Sequence, residues 1–167
     1  YIKAHYPAEY MAALMTRRFS QITEITKLME ECQNMKIATL GPDVNESYSK
    51  FGVNKKGEIR FGLSAIKGMG EGSALAIVKE REDHGPYKDI YDFAERVDYS
   101  NVNRKAFESL ALSGGFDSFG FQREQYLAAN QKNETFLDVL VRYGQLFQTE
   151  QREAQNSLFG GEQAVEI

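Results

Sequence analysis

The stretch of sequence that decides the fold is Ile66–Val78, which reads IKGMGEGSALAIV. Gly68 and Gly70 lie between a short apolar run and an amphipathic helical pattern that begins near Leu75, which predicts a tight turn that opens a helix. The first amide groups of a helix have no partner within the helix, and the helix dipole adds partial positive charge there. The sequence therefore predicts a binding site for a phosphate oxygen at this turn.

This spacing of glycines resembles the helix-hairpin-helix motif, which binds nucleic-acid backbone without reading sequence. In that resemblance Gly68 and Gly70 form the hairpin, and the small Ala74 lets the two helices pack closely. The residues expected to contact a DNA backbone in this unit are Lys67, Gly68, Met69, Gly70 and Gly72.

Two other interpretations of the glycine turn are open. It can be a structural connection between an apolar segment and a helix, with no ligand. A dinucleotide-binding fingerprint fits less well, because Gly72 comes one residue too early for Gly-x-Gly-x-x-Gly and no βαβ pattern follows. The Gly-x-x-x-x-Gly-Lys-Ser/Thr phosphate loop is absent from the sequence.

Composition allows a folded domain but restricts how it can bind nucleic acid. The chain has 167 residues, 42% of them apolar, which is enough for one ordinary domain or two small ones. The formal net charge of −4 argues against binding by bulk positive charge, so any nucleic-acid contact must be local. Between Phe51 and Glu82 the balance reverses, and six cations outnumber four carboxylates. The cations form a weak basic patch of Lys55, Lys56, Arg60, Lys67, Lys79 and Arg81.

Other common kinds of site find little support. Cys32 is the single cysteine, so a disulfide framework and a thiolate metal site are excluded and a reducing compartment is favoured. His5 and His84 belong to no cluster with ligand spacing, and metal binding is not expected. No apolar run is long enough to span a membrane. Because the chain starts at Tyr1, we expect it to be a piece of a longer protein.

Periodicity predicts a mainly α fold with a small antiparallel β-sheet, of the α+β class. A first helix begins at Pro7, and a second is expected over about 21–35. Strands are expected at 36–40, 48–53 and 58–63, the last two joined by a turn at 54–57. The last third is expected to be helical, with one helix over 122–130 and another over 136–154 that has a possible kink at Gly144.

Four short segments of the sequence, in this order, resemble the family of bacterial DNA polymerase III α subunits, the C-family replicative polymerases. These segments are Lys3–Leu14, Glu30–Cys32, Pro42–Asn45 and Ile59–Leu63, and the resemblance covers nearly the whole chain. One small departure is Gly41, where the family leads us to expect a second proline. The resemblance implies five segments. They are the end of a fingers domain (1–46), a β-hairpin connector (47–63), a tandem helix-hairpin-helix region (64–120), C-terminal helices (121–154) and a flexible tail (155–167).

The resemblance also implies a second, degenerate hairpin unit over Asn103–Asp117. In this unit Arg104 and Lys105 are the candidate backbone contacts, with ordinary surface charge as the alternative interpretation. Leu112 stands where the family often has a basic residue, so no phosphate contact is expected there.

The tail carries a short pattern, Gln155-x-x-Leu158-Phe159, that resembles the pentapeptide by which this family docks on the sliding clamp. Leu158 and Phe159 can fill an apolar pocket, and the Gln155 amide can both donate and accept a hydrogen bond. A structural helix end is the alternative interpretation. Gln145–Phe147 has the wrong spacing and is expected in the core.

No catalytic residue is expected in this chain. Asp43, Asp89 and Asp92 do not reproduce the clustered carboxylates with which such polymerases hold Mg²⁺, so the chain is not expected to polymerise DNA or to hold a cofactor. The implied partners are primer-template duplex DNA, the sliding clamp (β subunit) and other replisome subunits, with no membrane. The implied location is the bacterial cytoplasm, at the nucleoid. The competing hypothesis is a protein-interaction module whose hairpins do not contact DNA.

Overall fold

The N-terminal part of the molecule is a set of three helices packed on a small sheet. The computed structural model describes residues 1–162, except for the side chains at 22 and 160–162. Its first helices are α1 (Ile2–His5), α2 (Pro7–Arg18) and α3 (Ile22–Asn34). Pro7 occupies the first turn of α2, where its missing N–H is not needed. The apolar faces of α2 and α3 bury Met11, Met15 and Cys32 in one hydrophobic cluster.

The sheet has three strands in the order β1-β3-β2, and each strand is only two residues long: β1 (Thr39–Leu40), β2 (Gly52–Val53) and β3 (Ile59–Arg60). The predicted hairpin is present, because β2 and β3 pair antiparallel with Val53 opposite Ile59. β1, however, pairs parallel with β3, so the sheet is mixed rather than wholly antiparallel. A long connection between β1 and β2 allows this parallel arrangement.

The second part of the molecule is helical and surrounds a larger hydrophobic cluster. A 3-10 turn (Leu63–Ala65) leads through the glycine turn into α4 (Glu71–His84), which α5 (Ile90–Arg96) and α6 (Arg104–Ser113) follow. A second 3-10 turn (Asp117–Phe119), α7 (Arg123–Leu127) and α8 (Phe136–Glu162) complete the described chain. The mainly helical fold with a small sheet is confirmed. The five predicted segment boundaries stay a prediction.

The centre of the larger cluster is built from aromatic rings. Phe93 of α5 lies edge-on to Phe107 of α6 (5.3 Å between centroids) and to Phe116 (5.0 Å), and all three are fully buried. Such rings contribute large apolar areas and favour this perpendicular geometry. The cluster therefore fixes α5 and α6 relative to each other, and with them the loop that joins them.

Helix α8 differs most from the prediction. It continues past residue 154 to Glu162, and Gly144 does not mark a disruption of the helix but its closest approach to α5. A Cβ atom at position 144 would lie 2.1 Å from the Ala94 carbonyl oxygen and 2.0 Å from the Tyr99 hydroxyl. About one turn further along α8, the Gln148 amide donates to the carbonyl oxygens of Glu95 and Val97 (3.0 and 2.7 Å), at the end of α5.

A buried arginine joins the two parts of the molecule. Arg81 of α4 is 6% exposed and donates to the carbonyl oxygens of Val44 (2.8 Å) and Ser47 (2.7 Å). The loop that contains them also exchanges two hydrogen bonds between the Asn45 amide and the Tyr87 backbone. The predicted Pro-Asp-Val-Asn loop is thus held against the helical region by buried polar contacts, which a low-dielectric surrounding strengthens.

Candidate nucleic-acid interface

The predicted glycine turn is present between the first 3-10 turn and α4. The Met69 N–H donates to the Ile66 carbonyl (3.0 Å), and Gly68 adopts φ +88°, a geometry typical of the third position of a type II turn. A Cβ at Gly68 would also come 2.6 Å from the Ser109 hydroxyl of α6. Glycine is therefore required twice, by the backbone angle and by the close packing of the turn on α6.

The start of α4 leaves amide groups free. Gly70 is its N-cap in an extended conformation (φ −82°, ψ 159°), and no side chain caps the helix. The first backbone bond of the helix runs from the Ala74 N–H to the Gly70 carbonyl (3.1 Å). Within residues 1–162, no acceptor is present for the N–H groups of Glu71, Gly72 and Ser73. These amides and the positive end of the dipole are available to an anion.

A second turn lies beside the first. The loop between α5 and α6 forms hydrogen bonds from the N–H groups of Asn101 and Val102 to the Asp98 carbonyl. Asn103 then caps α6 by accepting from the Ala106 N–H (2.9 Å). The Ser73 hydroxyl of α4 donates to the Asn101 carbonyl of this loop (2.5 Å). The hydrogen bond brings the N-terminal turn of α4 next to the loop that leads into α6.

Two lysines flank the glycine turn. Lys67 lies in it and is exposed, and exposed Lys105 of α6 would have its Cε 3.3 Å from a Cβ at Gly68. Among the described side chains, neither lysine forms an ion pair. Met69, in contrast, is 6% exposed, so only its backbone can reach a ligand. The structure thus brings Lys67, Gly68, Gly70, Gly72 and Lys105 together at one surface.

Arg104 has a different set of contacts. Its guanidinium pairs with Asp138 of α8 and with Glu108 (2.8 Å). The hydrogen bond from Arg104, with those from Thr135, lowers the pKa of Asp138 to about 2. Because both carboxylates already neutralise this guanidinium, the structure favours a role for Arg104 in joining α6 to α8. Its predicted phosphate contact stays a prediction.

The weak basic patch over 51–82 is less basic in three dimensions than in the sequence. Arg81 is buried, and Arg60 pairs with Glu46 and donates to the Gly41 carbonyl (3.0 Å). Exposed Glu71, at the first position of α4, adds a negative charge next to the free amides. Positive charge at the turn therefore comes from Lys67, Lys105 and the helix end.

The residues of the clamp-like pattern lie on a helix rather than in an extended tail. Gln155, Leu158 and Phe159 belong to α8 and share one face, because positions i, i+3 and i+4 are neighbours on a helix. Leu158 and Phe159 are 74% and 71% exposed. The rest of the predicted tail, 163–167, lies outside the described residues. Leu146 is 58% exposed, so its predicted place in the core is wrong.

The three carboxylates considered for metal binding accept hydrogen bonds from backbone N–H groups instead. Asp43 accepts from the Asn45 N–H (2.7 Å), and Asp89 caps α5 by accepting from the Asp92 N–H (2.7 Å). Asp92 accepts from the Lys88 N–H (3.0 Å) and also from the Arg96 side chain (3.0 Å). Among the side chains that the structure describes, no group of three or more His, Cys, Asp or Glu residues is placed to hold a metal ion. The expected absence of a catalytic or metal site in the whole chain stays a prediction.

Comparison with known proteins agrees with this geometry. The family model described as Helix-hairpin-helix motif matches residues 36–126, more than half of the chain and the whole region of both turns. The chain belongs to the helix-hairpin-helix family. The matched range contains both neighbouring turns, at 66–70 and 98–103.

Similar proteins are DNA polymerase III α subunits, as the four matching sequence segments predicted. That of Pasteurella multocida is 45% identical over 133 residues, which are 80% of this chain and 11% of the relative. That of Haemophilus influenzae is 39% identical over 160 residues, 96% of this chain and 13% of the relative. That of Escherichia coli K12 is 42% identical over 123 residues, 74% and 11% respectively. The predicted resemblance is confirmed, and the chain spans about an eighth of the length of these relatives.

Several residues of the site could not be found from the sequence. The hydrogen bond between Ser73 and Asn101 joins positions 28 residues apart, and Asn101 lies outside the patterns found in the sequence. Gln148, which holds α8 on α5, looks like an ordinary helix position, and Gly144 predicted a kink rather than a close contact. No helix within the described residues combines the length and the apolar character that crossing a membrane requires.

Proposed function

We propose that this chain is a non-catalytic segment of a replicative DNA polymerase of the polymerase III α type, and that it binds the backbone of duplex DNA without sequence preference. The observation that carries the proposal is the group of free amides at the start of α4 with unpaired Lys67 and Lys105 beside them. Backbone amides and lysine ammonium groups are donors that suit phosphate oxygens and carry no base specificity.

The overall charge of −4 is compatible with this proposal. In a polymerase of several domains, other segments supply most of the affinity, and this segment adds one local contact. We expect the isolated chain to bind duplex DNA weakly and with strong dependence on salt. The polymerising carboxylates and their Mg²⁺ would belong to other parts of such a polymerase, which works in the bacterial cytoplasm at the nucleoid with other replisome subunits.

The test is a fluorescence-anisotropy titration of the chain with labelled duplexes of unrelated sequence at low salt. The pair Lys67→Gln and Lys105→Gln should weaken binding to all of them by a similar factor, because phosphate contacts do not read bases. The matched control is the pair Lys55→Gln and Lys56→Gln in the exposed β2–β3 turn, which removes the same charge and should lower affinity much less. Equal loss in both pairs would show that only net charge matters and would contradict the proposal.

A second function is docking to the sliding clamp. The observation that favours it is the exposed stripe of Gln155, Leu158 and Phe159 near the end of described α8, where each apolar side chain is more than two-thirds exposed. Burying either one in a pocket would contribute about 1.5–3 kcal/mol. A helical stripe of this kind suits an apolar groove on the partner.

We expect the double variant Leu158→Ala and Phe159→Ala to abolish binding to the β clamp in a calorimetric titration. The matched control is Leu146→Ala, which removes an apolar side chain of α8 that is 58% exposed and lies outside the stripe. Clamp binding that is unchanged in the double variant would contradict this second function. Clamp binding without duplex binding would favour the alternative, a protein-interaction module whose hairpins do not contact DNA.

A further inference from the structure

A cavity of about 250 Å³ lies between the end of α2 and the glycine turn. Phe19 and Lys50 line it from the N-terminal part, and Ala65, Met69 and Glu71 line it from the segment that contains the turn. It therefore adjoins the surface proposed for duplex DNA and shares Glu71 with the start of α4, but its lining includes neither Lys67 nor Lys105.

The walls of the cavity combine an aromatic face with apolar atoms. Phe19 follows the last residue of α2 and is 43% exposed, so part of its ring is accessible. Ala65 and Met69 add apolar atoms to the lining. Exposed aromatic rings are the platforms on which unpaired bases stack, with little regard for base identity.

The backbone that carries a positively charged side chain is fixed at the same cavity. Backbone hydrogen bonds from Leu63 N–H to the Tyr48 carbonyl (2.9 Å) and from Ser64 N–H to the Ser49 carbonyl (3.1 Å) fix the chain that leads to Lys50. Gly62 packs so closely that a Cβ there would lie 2.6 Å from the Lys50 carbonyl carbon. Lys50 is exposed and forms no ion pair with any side chain that the structure describes.

Size and charge together select the ligand. The volume is below the roughly 300 Å³ at which pockets for drug-sized ligands begin, so the cavity has room for one planar group. The bases of a duplex are stacked and cannot enter a concavity, whereas an unpaired base can. Glu71 also lines the cavity and repels a second phosphate, so one phosphate is expected, at Lys50.

We propose that this cavity binds one unpaired nucleotide of single-stranded DNA, with the base against Phe19 and the phosphate on Lys50. The proposal rests on the proposed function, because the single strand would be continuous with the duplex held at the hairpins. It adds a contact that recognises the absence of pairing, which the amide and lysine contacts cannot do.

The experiment compares a labelled oligothymidylate with a blunt duplex, both titrated with the 167-residue chain at low salt. Phe19→Leu should weaken oligothymidylate binding by about tenfold, as expected for loss of one base stack. Lys50→Gln should lower the salt slope for the single strand by about 0.7. Both variants should leave duplex affinity within about twofold of the wild type, since duplex binding needs only the hairpin. Tyr6→Leu, at an exposed aromatic outside the cavity, is the matched control and should change neither.

Unchanged oligothymidylate binding in Phe19→Leu, or an equal loss for duplex and single strand, would overturn the proposal. Should the variant fail to fold by circular dichroism, amide chemical shifts of the wild type decide instead. Added oligothymidylate should shift Ser49, Lys50 and Ala65, and the absence of such shifts would also overturn it. Single-strand binding without any duplex binding would refute the hairpin function and support the cavity, so the two failures are distinguishable. A chain that binds neither would overturn both.

Discussion

Replacing Gly144 by alanine tests the packing of α8 on α5, which supports the turn at 98–103. In an exposed helix this change stabilises by about 1 kcal/mol, because glycine is the poorer helix former. Here the new Cβ would lie 2.1 Å from the Ala94 carbonyl oxygen, a backbone atom that cannot turn away. It would also lie 2.0 Å from the Tyr99 hydroxyl, which donates to that same carbonyl (2.6 Å).

Helices α5 and α8 must therefore move apart, and the substitution destabilises the fold instead of stabilising it. Overpacking costs about 1–3 kcal/mol, and loss of the Tyr99 hydrogen bond costs about 1 kcal/mol more. After subtraction of the gain in helix propensity, we expect a net loss of about 2 kcal/mol in the free energy of unfolding. For a chain of this length that lowers the melting temperature by about 4–8 °C.

The assay is thermal and urea unfolding followed by far-ultraviolet circular dichroism. Gly41→Ala is the matched control, because nothing lies within 4 Å of its Cβ position, and we expect its stability to change by less than about 0.5 kcal/mol. A Gly144→Ala variant that is as stable as the wild type, or more stable, would refute the packing described for α5 and α8.

Two further predictions concern buried and paired charges. Arg81→Met should lower the free energy of unfolding by about 2–4 kcal/mol, because two carbonyls of the 44–47 loop lose a charged donor, and chemical unfolding measures the loss. Asp138→Asn should reduce the loss in the free energy of unfolding that the wild type shows as the pH falls from 4 to 2. The pKa of Asp138 is about 2, below its ordinary 3.8, so the ion pair with Arg104 stabilises the fold above about pH 4 and is lost as the pH falls to 2.

Both predictions have matched controls. Lys79→Met and Asp83→Asn change exposed residues of α4 and should leave unfolding near that of the wild type. A loss in Lys79→Met as large as in Arg81→Met would contradict the role of the buried guanidinium. A wild-type melting temperature that falls between pH 4 and pH 2 no faster than that of Asp138→Asn would contradict the role of the ion pair.

Local chemistry made the hairpin predictable from the sequence. The positive φ of Gly68 and the uncapped start of α4 follow from glycine spacing and helix periodicity, which depend on residues close together in the chain. The mainly helical class follows from the same periodicity. Lys67 lies within the motif and needs no tertiary information to be placed.

Contacts between distant residues were not predictable. Arg81 has the spacing of a surface cation, and only the loop at 44–47 explains its burial. Arg104 and Lys105 are adjacent in sequence, yet one pairs with α8 and the other lies at the glycine turn. The parallel β1 and the continuation of α8 past Ala154 likewise depend on neighbours that no short-range pattern encodes.

The salt dependence of duplex binding tests the central claim most directly. The logarithm of the association constant should fall linearly with the logarithm of salt concentration, with the same slope for duplexes of unrelated sequence. Removing Lys67 and Lys105 together should reduce that slope by about 1.8, which corresponds to two phosphate contacts. A slope unchanged by the two substitutions, or the absence of duplex binding at low salt, would contradict the claim that this turn binds the DNA backbone.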